Sequence, residues 1–352
     1  MRFHILGNPN APITSAYRLD GFSQATLRLC RLLKTMGDHE VFLYGAVTTT
    51  APCTEFIQTV DADERRAFSA PFAYQDVPFD PASELWRMSN RRTIDAIQKR
   101  KQAGDFLLTI GGYAHKPVFD AFPNLLGVEW SVGYIGSFAQ HRVFESYAWQ
   151  HHTYGKQGIT NGRFYDDVIP LFFDVSEFPI VEDPEDYLLY VGRLTHLKGI
   201  SVACQIATAA GVKLKVVGHG DKSLVTGGHE YLGALSHGEK IDAMSRAKAV
   251  LCPTLYIEPF NAVAVEAQLC GTPVICPDFG GFTETVGEGC GHRCHLLRDF
   301  VAACHNLDHL DRWEISQRAR HLYGFKTAAR RYARYFERVQ TRLGAGWESE
   351  WV

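Results

Sequence analysis

The chain has 352 residues, 46% hydrophobic and 21% charged, and 36 Lys and Arg against 39 Asp and Glu leave a formal net charge of -3. This near-average composition excludes a disordered, collagen-like or coiled-coil chain, and the small charge excludes a uniformly basic nucleic-acid binder while leaving local patches open. No apolar run approaches the roughly 18–20 residues of a spanning helix, and the opening Met1–Pro12 is too short and too polar for a signal peptide. The expectation is a soluble, cytoplasmic protein of two domains.

In chain order, Arg2–Leu6 predicts a strand, followed by a long loop through Asp20 and Gly21. A helix is expected from about Phe22 to Met36, because Phe22, Ala25, Leu29, Leu32, Leu33 and Met36 recur at helical spacing. Val41–Tyr44 then completes a strand–helix–strand unit. Met88–Ala103 reads as a helix between strand ends at Asp105–Gly112 and Leu125–Ser131, and Asp167–Phe173 closes the half.

The Pro- and acid-rich stretch Phe178–Tyr187 predicts an interdomain linker. The rhythm then restarts: strand Tyr187–Arg193, helix Ile200–Ala210, strand Lys213–Gly220, helix His237–Ala247, strand Ala249–Thr254, helix Ala262–Leu269, strand Thr272–Pro277, and a helical region from about Phe300. Two alternating blocks predict an α/β protein of two Rossmann-like domains with parallel sheets facing a cleft. The expected domains are residues 1–175, rejoined by a C-terminal helix at about 328–352, and residues 180–327. Ligands of such sheets bind beyond the carboxyl ends of the strands. The glycine turns there are Gly111-Gly112, Gly192 and Gly218-His219-Gly220; none is a full dinucleotide fingerprint leading into a helix.

Nine cysteines in a chain of this size fit a reducing compartment, with Cys30, Cys204 and Cys270 in apolar helical patterns and Cys252 and Cys276 at strand ends. Cys290, His292, Cys294 and His295 are four close soft ligands. No second pair follows at zinc-finger spacing, and Gly287, Gly289 and Gly291 suggest a turn before a strand, so no metal is expected.

Arg193 and Lys198 lie past a strand end and before the next helix, where two fixed cations beside helix-start amides suit a diphosphate. The plain alternative is two solvated loop charges. Further on, Glu258 precedes the amides of Phe260, Asn261, Ala262 and Val263, at the start of a helix whose first donors have no helical partner. Glu266 is a carboxylate on the mostly apolar helix that Gly271 and Pro273 terminate. It is either surface-exposed or ion-paired, or it accepts from a vicinal diol such as a ribose.

The order of these motifs resembles the retaining glycosyltransferases of family 4, which have the GT-B fold. The shared pattern is VGRL with Lys five positions after the Arg, the turn VVGHGD, E-P-F with a second Glu eight residues beyond the first, and GTPVI leading into FGGFTETV. The likeness is dense from Tyr187 to Val286 and thinner over Asp20–Gly45. It implies that Arg193 and Lys198 hold the donor diphosphate, that Glu258 binds hydroxyls of the transferred sugar, and that Glu266 takes the ribose. Gly218 and the amides of Phe260–Val263 would line the donor pocket, and Gly21 would leave room for the diphosphate at the opposite domain. The donor would be a UDP-, GDP- or ADP-sugar, with no further cofactor.

Three departures stand out. Asn261 replaces the usual Gly, Leu171-Phe172-Phe173-Asp174 stands at the interdomain junction, and Glu129-Trp130-Ser131 occupies a strand end where the family often has His. His115, Glu129 and Ser131 are therefore the candidates for meeting the acceptor, with Glu129 equally readable as a strand-end carboxylate bonded to backbone.

The resemblance implies transfer with retention, the leaving phosphate accepting the acceptor's proton on the same face, without the carboxylate pair that glycosidases use. Metal would be dispensable, Asp61-Ala62-Asp63 reading as a surface turn. The acceptor would be a glycan, a lipid or a modified nucleobase in DNA. Two basic segments, Arg87–Lys101 and Arg312–Arg342, could dock an anionic acceptor or touch a membrane peripherally, though two solvated Arg-rich helices are the favoured reading. Tyr323, Tyr332, Tyr335 and Phe336 are expected to be packing residues. The rivals are a non-catalytic nucleotide-sugar binder and an epimerase or phosphorylase on the same fold.

Overall fold

The structure is a computed structural model that describes residues 1–17, 20–69 and 80–342. Residues 343–352 of the expected C-terminal helix lie outside the described residues. The chain divides into two compact units: Met1–Glu145, Gln157–Pro170 and the segment from Ala328 form the first, and Ser146–Lys156 with Leu171–Thr327 form the second.

The elements of the first half are β1 (Arg2–Leu6), α1 (Gly21–Thr35), β2 (Glu40–Ala46), β3 (Glu55–Val60), α2 (Ala62–Ser69), α3 (Glu84–Gln98), β4 (Phe106–Thr109), α4 (Lys116–Ala121), β5 (Leu126–Val132), β6 (His141–Phe144), α5 (Tyr147–Gln157) and β7 (Asp167–Val168). The strands form a parallel sheet in the order β3-β2-β1-β4-β5-β6-β7. Buried residues run through every position of β4 and β6, as a parallel sheet covered on both faces requires.

The second half contains β8 (Leu188–Val191), α6 (Ile200–Ala210), β9 (Leu214–Val217), β10 (Glu230–Gly233), α7 (His237–Arg246), β11 (Ala249–Leu251), α8 (Ala262–Leu269), β12 (Val274–Pro277), α9 (Phe282–Thr285), β13 (Gly291–Cys294), α10 (Leu297–His305), α11 (Arg312–Tyr323) and α12 (Phe325–Arg342). Its sheet order, β10-β9-β8-β11-β12-β13, repeats the doubly wound pattern of the first, again with parallel pairing.

The first unit's core includes a segment from the far end of the sequence. Phe3 of β1 packs on Phe106 of β4 at 5.2 Å and on Phe336 of α12 at 4.9 Å between ring centroids. Tyr332, Tyr335 and Phe336 are all buried, and so is Tyr323 at the end of α11, which makes them packing residues.

Several local expectations need correction. The helix placed at Met88–Ala103 begins earlier and stops sooner, because Arg100 and Lys101 already turn back onto the Ile97 carbonyl and Gly104 takes a φ of 84°. β3, β6, β10 and α5 were not anticipated. β6 and β10 have only four residues each, β3 mixes exposed and buried positions without alternation, and α5 interleaves aromatic and histidine residues without a clean apolar stripe. Asp61 is not a mere surface turn: its carboxylate accepts from the amides of Asp63 and Glu64 and starts α2.

Cys290 and Cys294 are buried, while the His292 ring meets the Asn306 carbonyl at 2.7 Å and His295 pairs with Asp278. Among the described residues no group of three or more His, Cys, Asp or Glu is placed to hold a metal, and no helix is long and apolar enough to cross a membrane.

Candidate functional site

The loops at the carboxyl ends of β8, β9 and β11 converge in the second unit. After β8, Tyr190 donates from its hydroxyl to the carbonyls of Arg193 (2.9 Å) and Lys198 (3.3 Å), which fixes the turn between them. The Thr195 hydroxyl accepts from the Lys198 amide. Gly199 follows at a φ of 74°, and a Cβ there would stand 1.9 Å from the Pro253 carbonyl oxygen, so only glycine lets this turn meet the loop after β11. Gly218 has the same role between the first two loops, its Cβ position lying 1.8 Å from the Gly192 carbonyl oxygen.

That packing brings Lys198 and Glu258 together. The ammonium lies 3.2 and 2.9 Å from the two carboxylate oxygens, with the side chains only 21% and 8% exposed. The Tyr256 ring centroid lies 5.0 Å from the same nitrogen. Burial alone would lower the Lys198 pKa, but the charge of Glu258, with Tyr256, outweighs it and the net direction is upward. Burial and the Glu258 charge raise Tyr256, which stays a neutral phenol. Arg193, on the same loop, is exposed.

Glu258 is backed by the glycine pair of the next loop. Gly281 donates its amide to the Glu258 carbonyl at 2.7 Å, and a Cβ on Gly280 or Gly281 would press on the backbone of Glu258 or Pro259. Asn261 sits at φ 65°, ψ 83°, and its side chain accepts from the Ala264 amide at 2.9 Å. The residue in the family's glycine position therefore keeps the left-handed turn and adds an N-cap. Phe260 is buried edge-on against Tyr323, and Ala262 and Val263 open α8. Glu266, one turn on, is ion-paired with Lys240 of α7 at 2.6 Å.

Two further residues hold this loop and were not given roles from sequence. The Ser146 hydroxyl, ahead of α5, donates to the Pro259 carbonyl and accepts from the Trp149 amide. Glu284 accepts from the Tyr147 amide at 3.0 Å and the Ala148 amide at 2.8 Å, capping α5. Glu284 was visible as the acid of FGGFTETV, but nothing local signals its partner. Lys240, inside an ordinary amphipathic helix, carries no signal.

The first unit holds the remaining candidates. Gly21 begins α1 after the Asp20 cap, and a Cβ there meets nothing within 4 Å. His115 is buried; its Nδ1 faces Asn90 Oδ1 at 3.1 Å, its Nε2 has no partner among the described residues, and burial pushes its pKa down to about 3. The Asn90 side-chain amide donates to the Ala114 carbonyl, so Asn90 Oδ1 is the acceptor and His115 carries its proton on Nδ1. Glu129 is fully buried and accepts from the Phe138 amide (2.6 Å), the Ala139 amide (2.8 Å) and the Tyr134 hydroxyl (3.0 Å). This is the backbone-bonded carboxylate of the plainer reading. Ser131 takes φ 51° and donates to Glu145 at 2.7 Å.

Residues 175–296 match the sequence profile described as glycosyl transferases group 1. This segment, about a third of the chain, is similar to group 1 glycosyl transferases. Glycogen synthase of Mycobacterium tuberculosis is 35% identical over 117 residues, a stretch covering 29% of this chain and 28% of that protein. The chain thus spans little more than a quarter of that relative. Likeness to solved structures extends over nearly the whole chain. Sucrose-phosphate synthase from Thermosynechococcus elongatus shares 15% identity at a TM-score of 0.70, with 96% of this chain and 98% of that chain covered. HepE of Anabaena, solved in complex with UDP-glucose, shares 16% identity at a TM-score of 0.64, with 96% and 99% covered. The fold is accordingly GT-B, and the group 1 segment contains Arg193, Lys198, Gly218, Glu258, the start of α8 and Glu266.

Proposed function

We propose that the chain is a retaining glycosyltransferase that moves a sugar from a nucleoside-diphosphate sugar to a hydroxyl acceptor. The observation that carries this is the Lys198–Glu258 pair, half-buried Lys on buried Glu, beside the start of α8 and within the segment that matches group 1 glycosyl transferases. In the free protein each charge neutralises the other. A donor would replace both contacts, its diphosphate taking Lys198 and Arg193 and its sugar hydroxyls taking Glu258. As the glycosidic bond breaks, negative charge grows on the diphosphate, where Lys198 and Arg193 stabilise it without reorganising. The leaving phosphate takes the acceptor's proton on the same face, which gives retention and requires no protein nucleophile. Glu266, held by Lys240, is oriented for ribose hydroxyls.

The second unit is then the donor domain and the first the acceptor domain, with a UDP-sugar the first donor to test because HepE is described with one. A glycan acceptor is favoured over an anionic polymer or lipid. Arg87, Arg92 and Arg100, half of the basic segment at 87–101, are already paired with Glu84, Glu64 and Glu55. Arg312, Arg320 and Arg338 are likewise bonded to protein oxygens. All nine cysteines are free thiols, which suits a cytoplasmic site of action.

The test is incubation with UDP-, GDP- and ADP-sugars, following slow hydrolysis and the anomeric configuration of the product by NMR. One donor is expected to be cleaved with retention, and Glu258→Ala to lower turnover by at least about a hundredfold. Absence of donor binding, an inverted product, or full activity in Glu258→Ala refutes the proposal.

A further inference from the structure

A cavity of about 480 Å³ opens on the second unit, away from the loops just described. Lys248 and Pro273 in its wall immediately precede β11 and β12, and Pro184 precedes β8. The cavity therefore lies at the amino ends of these strands, opposite the carboxyl ends that carry Lys198 and Glu258. Its size falls within the range of roughly 300–1,000 Å³ usual for small-molecule sites.

The lining has three chemical parts. Trp313, the second residue of α11, is 60% exposed and offers a flat ring beside the opening. Glu182, Asp308, Asp311 and Lys248 also line it, and the Asp311 carboxylate accepts from the Glu314 amide as the cap of α11. The remaining cation, Arg312, is committed elsewhere: its guanidinium donates to the carbonyls of Ser245 and Ala247 and to the Thr272 hydroxyl. It braces the wall and keeps its positive charge, since all three acceptors are neutral.

This set discriminates between ligand classes. Three carboxylates against the two cations Lys248 and Arg312 leave the wall net negative, which disfavours phosphates, nucleic acid and anionic lipid. The ammonium, set among the carboxylates, also disfavours a strongly cationic ligand. A neutral molecule with many hydroxyls satisfies both signs, donating to the carboxylates and accepting from Lys248. The flat indole suits the C–H face of a pyranose ring. We propose that this cavity binds a neutral oligosaccharide, as a second glycan site separate from the place where the donor would react.

Such a site would hold a polymeric glycan without taking part in bond breaking, so it is tested by binding. Full-length protein is run by native affinity electrophoresis in gels containing a soluble branched glucan, a mannan or a galactan, with dextran sulfate and a Lys-rich peptide as charged competitors. At least one neutral polysaccharide should retard the wild type. Trp313→Ala should weaken that retardation about fivefold to tenfold, and Asp308→Asn by a smaller factor. Glu258→Ala should leave it unchanged, which separates this site from the reaction site. Trp313 is largely exposed, and an unchanged melting midpoint for its variant would show that folding is not at issue. Three results overturn the proposal: no retardation by any neutral polysaccharide, retardation that survives both Trp313→Ala and Asp308→Asn, or stronger binding of dextran sulfate or the peptide.

Discussion

Replacing Lys198 by Met is the sharpest probe of the charge pair. The substitution keeps the length of the stem and leaves the Glu258 carboxylate, only 8% exposed, without its counter-ion. At the observed contacts of 2.9 and 3.2 Å, and with an effective dielectric near 20, Coulomb attraction is roughly 5 kcal/mol, much of it offset by desolvation. Removing one partner forfeits the attraction but keeps the burial cost of the other. Lys198 retains some contact with water, so the net loss is about 2–4 kcal/mol. That corresponds to roughly 5–12 °C in melting midpoint for a unit of this size. Because the Lys198 ammonium is held above its ordinary value, the stabilisation is complete below about pH 10.5 and is lost as pH rises through the raised folded value. The difference between wild type and variant should thus be flat from about pH 7 to 9 and shrink only in stronger alkali. Calorimetry on Lys198→Met, Glu258→Gln and the double variant measures it, with an expected coupling of about 1–3 kcal/mol. Single variants as stable as the wild type, or strictly additive losses, would refute the reasoning.

Three other perturbations test the surrounding geometry. Asn261→Ala loses both the cap and a residue tolerant of φ 65°, and should cost about 1–2 kcal/mol in denaturant unfolding. Asn261→Gly should cost clearly less, and equal losses would remove backbone strain from the account. For Glu129, burial lifts the carboxyl above its ordinary value while the Ala139 and Phe138 amides pull it down. The folded state therefore holds this proton more tightly than the unfolded chain does. Stability contributed by the group falls as pH rises from about 4.3 through the raised folded value, so Glu129→Gln should gain on the wild type across that interval and then level off; the opposite slope would contradict it. Glu284→Ala uncaps α5 and should cost about 1–2 kcal/mol while speeding amide exchange at Tyr147–Trp149, and unchanged protection there would show the cap to be idle.

What was legible in the sequence follows from how local each cause is. The bounds of α6 and α8 could be read to the residue, since apolar spacing and a terminating glycine define both within one window. The strand Glu230–Gly233 could not, because a short edge strand with a half-buried pattern carries almost no periodic signal. The site behaves the same way. Arg193, Lys198, Glu258 and Glu266 stand out by spacing, but the pairings Lys198–Glu258 and Lys240–Glu266 join loops and helices remote in sequence, and only folding reveals them. Asn261 stands in the family's glycine position, where its tolerance of unusual backbone angles can keep the turn. The structure makes it a cap, because Asn tolerates a left-handed backbone and its side chain reaches the Ala264 amide.

The packing of Phe3 and Phe106 against Phe336 has a consequence for the order of events during synthesis. Domains generally fold as they emerge, the amino-terminal one first. Here β1 and β4 leave the ribosome long before α12, which supplies Phe336 and the buried Tyr332 and Tyr335. β1 and β4 lack this aromatic cover until α12 has been made, by which time the run from Leu171 to Thr327 is already available to assemble. The core of the first unit is thereby completed only after the sequence of the second unit has been made.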